Sequence, residues 1–190
     1  MGQRGKGAKP KLAVVENTDQ GAFGFAQGEV SPLRSSLPWE EPGLSRVERI
    51  AAFLEDLPIT QGSLAGTTLK LRDWQLQFLE EVYAEDEDGR RPVRTAVLSM
   101  ARKNGKTQLV AGLGLCHLLG PEAESRGEVY AAANDKQQSG KTFMEMVAIL
   151  DEHPELDARV NVVKFSKRIE VLHGQGKGSI FQALSADAST

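Results

Sequence analysis

The run Thr95-Ala96-Val97-Leu98-Ser99-Met100-Ala101-Arg102-Lys103-Asn104-Gly105-Lys106-Thr107, continued by an apolar segment to Leu119, decides the fold. Thr95 to Met100 is a short apolar stretch that suits a buried strand, and the segment after Thr107 is long and apolar enough for a buried helix. Between them, Gly105-Lys106-Thr107 is the ending of a phosphate-binding loop, whose full form is G-x-x-x-x-G-K-[ST]. Met100 stands where the first glycine belongs. The chemistry survives that departure in outline. Backbone N–H groups around Asn104 to Thr107 can converge at a helix N-terminus, where the helix dipole favours phosphate. Lys106 would then reach the β- and γ-phosphates, and the Thr107 hydroxyl would bind Mg2+. The blander alternative is an exposed basic turn, but a strand immediately before and a helix immediately after are what the motif requires.

Downstream, Gly120-Pro121 stops the helix, and Glu128 to Ala133 reads as a second buried strand. It leads into a helix capped by Asn134 or Asp135 and running to Leu150. The order β-α-β-α argues for an α/β fold, a parallel sheet flanked by helices. After Pro154 three strand-like stretches follow, at 158–165, 168–173 and 179–184. Two rivals to the phosphate loop lie in this region. Gly140-Lys141-Thr142 falls inside the second helical pattern, where its amides are already engaged. The turn Gly174-Gln175-Gly176-Lys177-Gly178 joins two strands and reads as a hairpin loop, from which Lys177 could meet DNA.

Upstream, Ser45-Arg46-Val47-Glu48 has the form of a capping box, and Val47, Ile50, Ala51, Leu54 and Leu57 follow at helical spacing until Pro58. A second helix starts near Asp73 as N-cap and carries Trp74, Gln75, Phe78, Leu79 and Val82. The acidic turn after it, Glu85 to Gly89, reads as a solvated loop. Residues 1–44 are rich in glycine and proline and show no sustained apolar period, so they read as a flexible arm ahead of a domain over 45–190. Arg4, Lys6, Lys9 and Lys11 make the start of that arm basic, suited either to touching DNA or simply to a solvated, mobile terminus.

Bulk properties narrow the class. With 190 residues the chain holds one ordinary domain, which buries roughly 70% of the surface its unfolded chain exposes. Hydrophobic residues at 40% and charged residues at 26% exclude collagen-like, disulfide-rich and wholly disordered classes. A net charge of −3 gives no global attraction to a nucleic-acid backbone, so any DNA contact must be local. Cys116 is the only cysteine, which excludes an internal disulfide and a cysteine-rich zinc site and leaves a buried structural thiol. No stretch approaches the ~18 apolar residues of a membrane span, and the start lacks the apolar region of a signal peptide, so the cytoplasm is the expected compartment.

Three segments in order carry a resemblance: Leu71-Arg72-Asp73-Trp74-Gln75, then Met100-Ala101-Arg102-Lys103-Asn104-Gly105-Lys106-Thr107, then Tyr130-Ala131-Ala132-Ala133-Asn134. Together they resemble the ATPase domain of phage terminase large subunits, over roughly 45–190. That family's loop has the form Arg-Lys-x-Gly-Lys-Ser/Thr without the first glycine, so Met100 agrees with it. The resemblance implies a P-loop ATPase fold that uses ATP and Mg2+. It implies a phosphate loop made of Arg102, Lys103, Asn104, Gly105, Lys106 and Thr107, with Thr107 on the metal, and catalytic roles for Lys106 and Arg102. Arg102 would sense or stabilise the γ-phosphate; an exposed or DNA-facing arginine is the other reading. Trp74-Gln75 looks like the family's adenine-recognition element, an aromatic shelf beside an amide, with plain core packing the alternative for Trp74.

Further implied are double-stranded DNA, a portal protein and a small terminase subunit as partners, a homo-oligomeric ring, and action in the bacterial host cytoplasm. One departure stands out. An ATPase of this type needs a second apolar strand ending in Asp-Glu, and nothing after Lys106 supplies it. The domain therefore reads as incomplete at its C-terminus, with the family's nuclease domain absent and activity of this chain alone weak or nil. Two alternatives to a packaging ATPase are another P-loop enzyme, such as a helicase-like ATPase, and a non-catalytic nucleotide-binding remnant.

Overall fold

The computed structural model describes residues 36–101, 104–133 and 136–185, the side chains of 136–139 and 185 excepted. Five α-helices and four strands are built from them. Helix α1 (Arg46–Asp56) starts as its sequence directs: the Ser45 Oγ accepts from the Glu48 N–H at 3.3 Å, and the Glu48 Oε2 accepts from the Ser45 N–H at 2.7 Å. Ile50, Phe53 and Leu54 form its buried face. Helix α2 (Asp73–Tyr83) is capped one residue earlier than expected, at Arg72. There the N3 residue Gln75 reaches back, its Oε1 accepting from the Arg72 N–H at 2.8 Å, which satisfies the N-cap amide. In helix α3 (Lys106–Leu119), Leu109, Leu115, Cys116, Leu118 and Leu119 are nearly inaccessible. Helix α4 (Lys136–Asp151) packs on α3, and the short α5 (Pro154–Asp157) follows it.

The strands β1 (Glu128–Ala133), β2 (Val160–Val163), β3 (Arg168–Val171) and β4 (Ile180–Ser185) form one sheet in the order β1-β4-β3-β2. β1 and β4 are parallel, in register from Glu128 opposite Ile180 to Ala133 opposite Ser185, while β4–β3 and β3–β2 are antiparallel. The α/β class with helices against a sheet is what the sequence predicts; the sheet itself is mixed, because short turns join β2 to β3 and β3 to β4. One face carries Val129, Ala131, Ile169, Val171, Phe181 and Ala183 into the core, where Phe143 of α4 stacks over Phe181 at a 6.4 Å centroid distance. Along β1 the burial alternates instead of being continuous, with Tyr130 half exposed on the other face.

Two further expectations need correction. The segment from Leu37 to Leu44, assigned above to a flexible arm, starts as part of the core: Leu37 and Trp39 are buried, and a 3-10 turn over Pro38–Glu40 sets the Trp39 ring edge-on to Phe53, centroids 4.7 Å apart. Single large anchors have no period and so leave no periodic trace. Residues 1–35 of the arm lie outside the described residues. The other correction concerns Thr95 to Met100, read as a buried strand: among the described residues it makes no ladder, and Val97 is 87% exposed while Leu98 packs against the core. β propensity makes a strand only where another strand accepts and donates its backbone hydrogen bonds. Among the described residues, no helix is long and apolar enough to cross a membrane.

Candidate nucleotide-binding site

The site begins with one backbone conformation. Gly105 has φ 74° and ψ 13°, the left-handed region, at the N-cap of α3. A Cβ there would meet nothing within 4 Å, so the demand for glycine is conformational and not a matter of space. The first amides of α3 follow that turn, with no partner inside the helix and at the positive end of its dipole. Thr107 is exposed, and its hydroxyl has no partner among the described residues. Lys106 is folded back: its Nζ donates to the Met100 carbonyl at 2.8 Å and to the Ala101 carbonyl at 2.6 Å. Asn104 closes the loop, its Nδ2 3.4 Å from the same Ala101 oxygen. Arg102 and Lys103 lie outside the described residues.

A cleft of about 770 Å³ opens beside this loop, of a size that holds a small-molecule ligand. Asn104, Gly105 and Gln108 line one side, Arg72 and Gln75 another, and residues 59, 61–64 and 67–71 the third. The third wall is a small hairpin that sequence reading passed over. The Ile59 N–H donates to Thr67 at 2.8 Å, the Gly66 N–H returns to Ile59 at 2.9 Å, and the Leu69 N–H reaches Leu57 at 2.9 Å. Gly62 and Gly66, at φ 85° and 82°, turn its tip. That pair of glycines, with a polar stretch between two helices, was the available signal. Gln108 ties the hairpin's base to α3 by donating to the Pro58 carbonyl at 3.0 Å.

Trp74 and Gln75 part company. Gln75 lines the cleft, 5% exposed, and its amide nitrogen has no partner among the described residues. Trp74 packs against the hydrophobic core instead. Successive residues on a helix point about 100° apart, so both side chains cannot readily face one cleft. The rival loops fall out of contention. Gly140-Lys141-Thr142 is interior to α4, and Gly174 to Gly178 is the β3–β4 turn. There a Cβ on Gly176 would sit 2.2 Å from the Leu118 carbonyl oxygen, so the loop is packed on the end of α3 and encloses no anion cradle.

Cys116 is fully buried, which pushes its thiol above the ordinary range and leaves it structural. Asp56, His153 and Glu155 bring potential ligand atoms within 4.8 Å of one another, His153 Nε2 lying 3.0 Å from Asp56 Oδ2, but at the junction of α1 and α5 and not in the cleft.

The family described as "Terminase large subunit, ATPase domain" matches residues 73–190, which include the phosphate loop and the sheet. The chain belongs to that terminase family. It is 34% identical to the "Terminase, large subunit" of Enterobacteria phage HK97 over 148 residues, covering 77% of this chain and 28% of that protein. The solved HK97 bacteriophage large terminase superposes with a TM-score of 0.66 at 32% identity, over 77% of this chain and 29% of that one. The terminase chain therefore spans under a third of the length of these relatives. Membership sets aside the helicase-like alternative, and the terminase match includes Asp73 to Tyr83 as well as the loop, so α2 and its Gln75 belong to the shared ATPase domain.

Proposed function

We propose that this chain binds Mg-ATP in the cleft beside Gly105 and supplies the nucleotide-binding part of a DNA-packaging ATPase. The observation that carries the reading is the pairing of a helix N-terminus, Gly105 to Thr107, with a ligand-sized cleft whose far wall offers the Gln75 amide nitrogen, which has no partner among the described residues. The residues present fit the ligand. The amides at the start of α3 receive phosphate oxygens, and Lys106 exchanges two backbone carbonyls for them. Thr107 offers its hydroxyl to Mg2+, which when bound neutralises charge on the β- and γ-phosphates. Gln75 donates to an acceptor on a purine edge while its oxygen stays on the Arg72 amide. Trp74 acts in this reading by fixing α2 against the core. Arg102 takes the γ-phosphate role that the family implies.

Coupling of hydrolysis to movement of double-stranded DNA into a procapsid belongs to the same proposal. So do a portal protein and small subunit as partners, a ring of copies, and the host cytoplasm as setting. The test is a titration with Mg-ATP. Lys106→Ala removes a charge-assisted contact of about 1.5–3 kcal/mol, so affinity falls about 10- to 150-fold. Unchanged affinity would sink the assignment.

A further inference from the structure

We propose that Glu145 is a positioning residue of the nucleotide cleft: its carboxylate, buried on α4, fixes the hairpin that forms the cleft's third wall. Glu145 is 5% exposed, on a stretch of α4 where Phe143, Met146, Val147 and Ile149 are buried as well. A carboxylate in such a place is costly unless its oxygens are satisfied. Both are: Oε1 accepts from the Thr60 hydroxyl at 2.6 Å, and Oε2 accepts from the Gln61 amide at 2.7 Å. No cation pairs with it among the described residues. An apolar side chain would fill the same space without burying a charge, so what the carboxylate adds is direction, two short bonds to adjacent residues of one loop.

That loop is the cleft wall. Gln61 itself lines the cleft, followed by Gly62, Ser63 and Leu64 at the tip. The Gln108–Pro58 bond holds its base and Glu55 of α1 holds its exit, accepting from the Leu71 N–H at 3.0 Å and lying 3.9 Å from the Lys70 ammonium; nearer the tip, the Glu145 pair is the hairpin's side-chain attachment to other elements among the described residues. Glycines at both ends of the tip leave it free to swing otherwise. Removing the carboxylate thus loosens one wall of a binding site without touching the phosphate loop. The inference rests on the nucleotide reading above, and its test separates the two.

A fluorescent ATP analogue with Mg2+ is titrated into the chain and its variants, and amide hydrogen exchange of Gly66 and Leu69 is followed without nucleotide. Glu145→Leu speeds that exchange and weakens binding roughly tenfold, the scale of effect expected when a site wall loses its fixed geometry. Glu145→Gln restores both, because an amide can accept from Gln61 and donate to the Thr60 hydroxyl. Thr60→Val combined with Gln61→Leu reproduces the loss from the other side of the contact, and adding Glu145→Leu to that pair changes little more. Binding within twofold of the parent in Glu145→Leu, or unchanged exchange at Gly66 and Leu69, overturns the inference, and it leaves the nucleotide reading standing if Lys106→Ala still loses affinity. If Lys106→Ala binds like the parent, the nucleotide reading fails and the inference with it.

Discussion

Gly105 turns the chain into α3 through its backbone alone. Because a Cβ would meet nothing, substitution tests conformation without steric interference. Gly105→Ala carries the left-handed penalty of about 1–2 kcal/mol, whereas Gly105→Asn, which tolerates that region, loses less. Thermal unfolding and nucleotide titration should both rank Gly, Asn, Ala in that order, and equal losses would mean that the site does not need this conformation. A second residue-scale effect lies at the other end of α3. His117 Nε2 and the Tyr83 hydroxyl are 2.8 Å apart; burial, the largest cause, lowers the imidazole pKa and raises that of the phenol. A base whose folded pKa is depressed favours the folded state when neutral. Its contribution is therefore present above the unfolded value, about 6.5, and lost as pH falls towards the folded one. Urea unfolding should show the parent losing more stability between about pH 7.5 and pH 5.5 than His117→Gln does.

At the scale of elements, what periodicity and capping chemistry can express was legible. The capping box at Ser45 and Glu48, the run of α3, the helical context of Gly140-Lys141-Thr142, and β2, β3 and β4 all stand where the residue pattern puts them. What escaped was structure made by isolated contacts. The hairpin of residues 59–69 depends on bonds to Glu145 and Gln108, each far away in the chain. Trp39 is one anchor in a proline-rich stretch, and its worth depends on Phe53 lying beneath it. Trp39→Ala should cost about 3–5 kcal/mol in urea unfolding, as for other buried large aromatics. A residue in a free arm would show no change, which makes this a direct check on where the domain starts.

At the scale of the molecule, the candidate phosphate loop shows in the sequence because its residue types are local: a glycine, a lysine and a hydroxyl on consecutive residues. The cleft around it was only partly readable. Gln75 was named, but its division of labour with Trp74 follows from a helix orientation that α2 acquires by packing on α1. The order β1-β4-β3-β2, likewise, is a decision of the folded chain, in which β4 inserts beside β1 after two intervening strands. The fold-back of Lys106 onto Met100 and Ala101 bears on how the whole protein meets its ligand. Those two carbonyls are an intramolecular competitor whose concentration never changes. If their hold on the ammonium is worth about 1.5 kcal/mol, only about a tenth of the molecules present a free lysine at any instant, and the apparent dissociation constant is about ten times the intrinsic one. Weak binding by the isolated chain would then reflect a self-occupied site more than a poor one, and departing nucleotide would leave behind a loop that needs no replacement ligand.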